Sequence, residues 1–371
     1  MCTENQTKEM QRIKHNVVVL VGNGFDIQVL SEFSKNGIIS SYEKFYDFLC
    51  YKNFNKENLL FQKMKENKQK NVVYWSDFEH SLNDLLSQKQ GVSLLTLDKD
   101  LFDLQTYFSM FLNELVTPEL LKNFGEQSSE KQWAVNTMSK FLNDLDEENY
   151  NRIVFPDKTD HFHEYNFTFF NFNYTPLLDN YIYLDKKQFD PHKYKTVDRN
   201  FKFYPDARCY KMGRKNNPTI WSSYIMQEII HPHGRQDIPR SMLFGIDLEE
   251  YKQTDERKKF VKSYWAQNDS KYKKYFEDAD LFIIYGSSMG ETDMWWWRQI
   301  FQSLLDAESE LIIYNYCSDE MKDKESIKDI FIKRGKDTKK AYLDFAKIKE
   351  KIFIVNYNNK TKNIFLDTKV N

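Results

Sequence analysis

The chain has 371 residues, a length that fits two domains or one elaborated domain. Its 53 Lys and Arg residues against 55 Asp and Glu leave a net charge of −2, and its apolar runs are far shorter than the roughly 20 residues of a membrane span, so composition disfavours nucleic-acid binders and membrane proteins. Four scattered cysteines without a Cys-x-x-Cys pair exclude a zinc ribbon, and a polar N-terminus without a secretory signal predicts a cytoplasmic protein.

The first predicted element is a short strand that ends in a glycine turn. Residues 16–21 are rich in valine, and residues 22–26 read Gly-Asn-Gly-Phe-Asp. In a chain with only 11 glycines, this turn predicts either backbone N–H groups that are free to bind a phosphate or simply a tight turn. Ile27 stands where a dinucleotide fingerprint has its third glycine, which disfavours an ordinary dehydrogenase.

The rest of the chain alternates between helical and strand-like patterns. Apolar residues three and four positions apart predict helices in residues 41–145, 176–183, 255–276 and 293–305. Alternating or near-continuous apolar residues predict strands at 165–174, 224–230, 281–285, 311–316, 352–355 and 364–366. Residues 185–217 show little periodicity and are interpreted as an insertion of unknown role.

This order predicts an α/β protein with a Rossmann-like, mostly parallel sheet and a helical insertion. We assign residues 15–40 and 151–371 to the sheet domain and residues 41–150 to a helical subdomain. Because parallel strands present their carboxyl ends at one edge, the strands near residues 21, 173, 285 and 316 should line one crevice.

Polar residues follow several of these strands. Asn173 carries an amide that could hold a ribose hydroxyl or a water, although asparagine alone is better explained as a turn residue. His231 and His233 could bind a metal only with further ligands that no neighbouring residue supplies, so His233, next to Gly234, is instead a candidate proton acceptor or a structural histidine. Residues 285–293 (Tyr-Gly-Ser-Ser-Met-Gly-Glu-Thr-Asp) suit close approach to a nucleotide or the cap of a helix.

In this order the motifs resemble the bacteriophage abortive-infection AbiH family. The matching segments are residues 22–26, 75–79 (Trp-Ser-Asp-Phe-Glu), 172–175 (Phe-Asn-Tyr-Thr), 231–234 (His-Pro-His-Gly), 244–247 (Phe-Gly-Ile-Asp), and 285–288 with Asp293. One departure is that residues 28–39 replace a Gly-Leu-Pro-Thr-like stretch of the family, so we expect a different entry to the pocket.

The family pattern in turn resembles sirtuin-like NAD-binding domains. This resemblance implies that Gly22 and Gly24 hold the dinucleotide phosphates and that Asn173 reaches the nicotinamide ribose. It further implies that His233 with Gly234 supplies the catalytic imidazole and that residues 286–288 close over the adenosine side. The four-cysteine zinc module of sirtuin deacylases is missing from the sequence, which points away from deacylation and toward hydrolysis or sensing of the nucleotide.

The chemistry of NAD hydrolysis narrows the candidate catalytic residues. Nicotinamide leaves the ribose as a neutral molecule, so no acid need protonate it, unlike the oxygen leaving group of a glycoside. We assign Asn173 to orienting water or ribose, His233 to accepting a proton, and Asp26 to a ribose hydroxyl or the developing positive charge. The ligand-binding candidates are Gly22, Asn23, Gly24, Phe25, Gly234, Gly286, Ser287, Ser288 and Asp293, and no metal is expected.

The leading hypothesis is therefore an anti-phage protein that binds NAD and hydrolyses it. The alternatives are a non-catalytic nucleotide sensor or interaction protein of a defence system, and a defence nuclease or RNA-binding protein, which the near-neutral charge disfavours. A phage-derived trigger or a defence partner would act on the NAD-hydrolysing protein or on the non-catalytic sensor. The sequence leaves open the role of Glu79 and the oligomeric state, including a homo-oligomer.

Overall fold

A computed structural model describes eleven stretches of the chain: residues 13–87, 92–156, 163–185, 200–203, 221–247, 254, 256–317, 323–336, 345–358, 360–361 and 363–369.

The described residues form one seven-stranded sheet in the order β3-β4-β2-β1-β5-β6-β7. The strands are β1 (Lys14–Val21), β2 (Glu164–Asn171), β3 (Asn200–Phe203), β4 (Trp221–Ile230), β5 (Leu281–Tyr285), β6 (Glu310–Tyr316) and β7 (Ile352–Tyr357). Six strands run parallel, and β3 pairs with β4 in the antiparallel sense at one edge. The predicted α/β fold with a mostly parallel sheet is confirmed.

The strand order reverses at the centre of the sheet. After β1, the chain adds β2 and β4 on one side, then crosses to lay down β5, β6 and β7 on the other. Val19 in β1 pairs with Phe169 of β2 and with Ile283 of β5, and all three side chains are buried. In open parallel sheets a reversal of this kind leaves a crevice at the carboxyl ends of the strands, here beside β1 and β5.

Fifteen α-helices accompany the sheet in the described residues. They are α1 (Gly24–Phe33), α2 (Tyr42–Tyr51), α3 (Leu59–Gln69), α4 (Phe78–Ser87), α5 (Leu94–Leu115), α6 (Pro118–Glu130), α7 (Trp133–Lys140), α8 (Glu147–Arg152), α9 (Leu177–Ile182), α10 (Lys262–Trp265), α11 (Asn268–Lys271), α12 (Lys273–Glu277), α13 (Met294–Asp306), α14 (Lys324–Gly335) and α15 (Phe345–Glu350).

Two apolar cores cover the two faces of the sheet. Alternate residues of β1 point to opposite faces, so Val19 belongs to one core and Leu20 to the other. The first core includes Phe78 of α4 and Phe108 of α5, and thus packs the helical segment against the sheet. The second core includes Trp297 of α13. The division into a sheet domain and a helical subdomain remains a prediction.

Two local expectations from the sequence differ from the structure, and a third falls mostly outside the described residues. Residues 364–366 form a turn, not a strand, because the Asp144 carboxylate accepts the backbone N–H groups of Ile364 and Phe365 at 2.7 and 2.9 Å. The charged stretch at 255–276 contains the short helices α10–α12 and no single helix, since Gln267 has a left-handed backbone (φ 54°). In the predicted insertion at 185–217, all but residues 185 and 200–203 lie outside the described residues.

A long, apolar helix of the kind that crosses a membrane is not found among the described residues.

Candidate functional site

A cavity of about 400 Å³ lies at the carboxyl edge of the sheet, beside the reversal between β1 and β5. The turns after β1, β2 and β5 contribute to its lining, and so do residues from the helical segment, such as Tyr42, Glu79 and Phe108. Its lining consists of Gly22, Asn23, Gly24, Asp26, Ile27, Ser40, Tyr42, Asp77, Glu79, Phe108, Leu112, Phe172, Asn173, Tyr174, Thr175, His233, Lys262, Gly286, Ser287, Ser288, Gly290, Thr292 and Asp293. The structure thus brings together most of the residues that the sequence singled out.

The two glycine turns pack backbone against backbone. Gly22 donates its N–H to the carbonyl of Tyr285 at 2.9 Å, and Gly24 donates to that of Gly286 at 2.8 Å. A Cβ atom on Gly24 would lie 2.6 Å from the Cα of Gly286, so neither turn tolerates a side chain there. These contacts correct one expectation: the N–H groups of Gly22 and Gly24 are used inside the protein and are not free to bind phosphate.

Asp26 presents a half-satisfied carboxylate to the cavity. It lies in the first turn of α1, and its Oδ2 accepts the Thr175 hydroxyl at 2.7 Å. Its other oxygen, Oδ1, is buried and has no hydrogen-bond partner among the described residues. Burial raises the pKa of the Asp26 carboxyl to about 7, against the opposing effect of the Thr175 hydrogen bond. A buried oxygen without a hydrogen-bond partner destabilises the folded protein. Such an oxygen suits a binding site in which a ligand supplies the missing hydrogen bond.

Asn173 braces the first glycine turn. It follows the end of β2, and its Nδ2 donates to the carbonyl of Gly22 at 3.2 Å. Its own backbone N–H donates to Oδ1 of Asn171 at 3.1 Å, which fixes the strand end. Asn173 therefore combines the turn role and the place in the cavity lining that the sequence left as alternatives.

The two histidines after β4 have different surroundings. His231 contacts the Asn173 carbonyl at 3.3 Å and the Asp179 carboxylate at 2.9 Å, so it ties β4 to the segment after β2. His233 is buried in the cavity lining and stacks on the ring of Phe172, with centroids 5.2 Å apart. Of the two, only His233 lines the cavity.

His233 is held in its neutral form. Its Nε2 lies 3.6 Å from Oδ1 of Asp293. Burial, and after it the charge of Lys262, lowers the pKa of His233 to about 3, against the opposing effect of Asp293. At pH 7 the imidazole is neutral and has a nitrogen lone pair that can accept a proton, and a pKa of about 3 makes it a weak base.

A buried ion-pair network links the helical segment to this histidine. The Lys262 ammonium donates to Oε2 of Glu79 at 2.8 Å and to Oδ1 of Asp293 at 3.2 Å. Burial raises the pKa of Glu79 to about 7, although the charge of Lys262 opposes the rise. The pKa of Asp293 is lowered despite burial because Lys262 favours its charged form. Asp293 and Glu79 in turn raise the pKa of Lys262, although burial opposes it.

Sequence reasoning missed Lys262. It lies in a charged stretch with three further basic residues close before it, which is typical of a solvated helix face, and no local pattern separates it from them. Glu79 was singled out without a role, and the structure gives it one as the partner of Lys262.

The segment at residues 244–247 acts through backbone and capping contacts. The N–H of Gly245 donates to Oε1 of Glu79 at 3.1 Å. The Asp247 carboxylate accepts the N–H of Trp295 at 2.7 Å and so caps α13, and burial raises the pKa of Asp247 to about 6. This segment supports the site and does not line it.

Three more predicted ligand residues, Asn23, Phe25 and Gly234, have distinct placements. Asn23 and Ser40 exchange hydrogen bonds of 2.7 and 2.8 Å, which hold the segment before α2 at the cavity. The ring of Phe25 packs on Tyr181 in the core, outside the cavity lining. Gly234 also lies outside the lining, in a turn with φ +86° where a Cβ would meet the Ser241 carbonyl at 2.0 Å.

The cavity is acidic, with one basic side chain in its described lining. Asp26, Asp77, Glu79 and Asp293 contribute carboxyl groups, and Lys262 contributes an ammonium. No group of three His, Cys, Asp or Glu side chains among the described residues is arranged to hold a metal ion.

A family model described as bacteriophage abortive infection AbiH matches residues 18–316 of the chain. Among curated proteins, none matches the chain.

Proposed function

The chain belongs to the bacteriophage abortive-infection AbiH family and is a phage-defence protein, and we propose that it acts by binding NAD and hydrolysing the bond between nicotinamide and ribose. The observation that carries the proposal is the cavity at the strand-order reversal, whose lining includes the neutral His233 and Asp26, a residue with one buried oxygen that has no partner among the described residues.

The charge of the cavity supports this substrate. The nicotinamide riboside half of NAD is a cation, and its cleavage passes through a ribose with oxocarbenium character. A fixed carboxylate such as that of Asp293, whose pKa is lowered, favours positive charge at the reacting carbon in a water-poor site. A volume of about 400 Å³ is near the lower end for small-molecule pockets and suits one nucleoside half of a dinucleotide. We expect the other half to extend past Ser287 and Ser288.

The reaction balances without an outside reactant. The bond from ribose C1′ to the pyridinium nitrogen breaks, and its electron pair leaves with neutral nicotinamide. A water oxygen then bonds to C1′, and His233 accepts the proton of that water before passing it to solvent. The free Oδ1 of Asp26 would accept a ribose hydroxyl, and Asn173 would orient the water or the ribose.

The deciding experiment incubates purified protein with NAD and follows free nicotinamide by chromatography. We expect release by the wild type and a loss of at least about 10²-fold in His233→Ala, with NAD binding by calorimetry retained in both. In phage-infected cells, we expect wild-type protein to deplete NAD and the His233→Ala variant to leave the NAD level higher. Wild-type protein that binds NAD but releases no nicotinamide in either setting would overturn hydrolysis and favour a nucleotide sensor.

A further inference from the structure

We propose that Lys262 is a positioning residue of the site: bridging Glu79 of α4 and Asp293 before α13, it holds the Asp293 carboxylate beside the His233 ring. One oxygen, Oδ1 of Asp293, lies 3.2 Å from the Lys262 ammonium and 3.6 Å from Nε2 of His233. The three groups come from separate segments of the chain, so their meeting is a property of the fold.

Two hydrogen bonds to Ile246 hold the backbone on either side of Val261 and so place the backbone of Lys262. The N–H of Ile246 donates to the Phe260 carbonyl at 2.8 Å, and the N–H of Lys262 donates to the Ile246 carbonyl at 3.0 Å. Gly245 permits this approach, because a Cβ there would lie 2.5 Å from the Phe260 carbonyl oxygen. The backbone of Lys262 is thereby held where its ammonium reaches Glu79 and Asp293.

Glu79 accounts for the other end of the bridge. Its two carboxylate oxygens are both used, Oε2 by Lys262 and Oε1 by the N–H of Gly245. A buried lysine needs such a partner, and Asp293 supplies a second carboxylate. The helical segment therefore reaches the reaction centre through Glu79 and Lys262.

After burial, the bridge is the second influence that keeps His233 neutral. The charged groups facing His233 are Lys262 and Asp293, with Glu79 behind them. Lys262 opposes protonation of the imidazole, while Asp293 favours it. Removing Lys262 should raise the pKa of His233, and the acid limb of any activity that uses the imidazole as a base should move to higher pH.

The test uses NMR on full-length protein with ¹³C-labelled histidine rings, in which a His233→Gln variant assigns the His233 signal. Lys262→Met leaves two buried carboxylates without their cation and can unfold the protein. The double variant Lys262→Met with Glu79→Gln removes both ends of the bridge together and is the informative variant. Lys259→Met, at a surface lysine that pairs with Asp98 at 3.3 Å, is the matched control.

We expect the His233 signal to stay flat from pH 4.5 to 8 in the wild type and in Lys259→Met, and to titrate within that range in the double variant. A signal that stays flat in the double variant while its melting temperature falls would show a merely structural role and overturn the proposal. A second measurement, the dependence of kcat on pH, rests on the proposed function. In the double variant its acid limb should move to higher pH by one unit or more. If the wild type releases no nicotinamide, the proposed function fails while the NMR arm still decides the role of Lys262.

Discussion

Gly24 donates its backbone N–H to the carbonyl of Gly286 at 2.8 Å, which joins the turn after β1 to the turn after β5. The joined turns contribute to the lining of the cavity, and three glycines let them approach this closely. Gly286 adds a second requirement, because its φ of +63° favours glycine over any residue with a side chain.

Gly286→Ala should therefore destabilise the protein by about 2–4 kcal/mol, since the new Cβ meets the Phe25 nitrogen at 2.8 Å and the backbone is strained. Urea unfolding measures the change. Gly290→Ala is the matched control, because the nearest atom to its Cβ lies 3.7 Å away. Equal losses in both variants would contradict the role given to the joined turns.

Asn173→Ala should reduce nicotinamide release by at least about 10²-fold, because the amide that orients water or ribose is gone. It also removes the hydrogen bond to the Gly22 carbonyl, which should cost about 1 kcal/mol of unfolding free energy. Kinetics at saturating NAD, combined with thermal melts, separate the two effects. Unchanged kcat in a folded variant would assign Asn173 to the turn alone.

His231→Ala should lower stability and leave turnover per folded molecule within a few fold of the wild type. The imidazole contacts the Asp179 carboxylate and the Asn173 carbonyl, so its loss loosens the end of β4. Melting temperature and nicotinamide release are measured side by side with His233→Ala. If His231→Ala proves to be the variant that loses turnover, the assignment of the base to His233 is wrong.

Asp26→Asn should change how stability depends on pH. Burial raises the pKa of Asp26 from 3.8 to about 7, so between these values the folded protein keeps a proton that the unfolded chain releases. The stabilisation is fully present below about pH 4 and is lost as the pH rises through 7.

Because asparagine carries no charge, the variant should gain about 1–3 kcal/mol over the wild type on going from pH 5 to pH 8. Urea unfolding at the two pH values measures this gain. Asp47→Asn, at an exposed position of α2, controls for the loss of a charge as such. A difference between wild type and variant that is the same at both pH values would refute the buried, protonated carboxyl.

Asp247→Ala should destabilise the protein by about 1–2 kcal/mol through loss of the α13 cap. Nicotinamide release per folded molecule should change little, since Asp247 does not line the cavity. Ser263→Ala removes only a 3.4 Å bond to the same carboxylate and serves as the control. A selective loss of turnover in Asp247→Ala would move this residue into the catalytic machinery.

The sequence by itself determined the sheet and most of the candidate site. Valine-rich β1 and the apolar run of β5 predict buried parallel strands, and the glycines after them mark where backbones approach closely. Asp26, Asn173 and His233 lie at or shortly after the carboxyl ends of predicted strands, which a parallel sheet gathers at one edge, and the family resemblance singled them out from other residues there.

Only the tertiary structure decided what lies between distant segments. Gly22 and Gly24 donate their N–H groups to carbonyl groups at the end of β5 and in the turn after it. These bonds depend on how the two turns pack, which no local sequence pattern encodes. Lys262 follows the half-buried Lys258 and Lys259 in sequence but meets Glu79 and Asp293 in space. The energy of an ion pair between remote segments depends on the distance between the charges and on their burial after folding. The spacing of residues along the sequence predicts neither the distance nor the burial, so such pairs leave no periodic pattern.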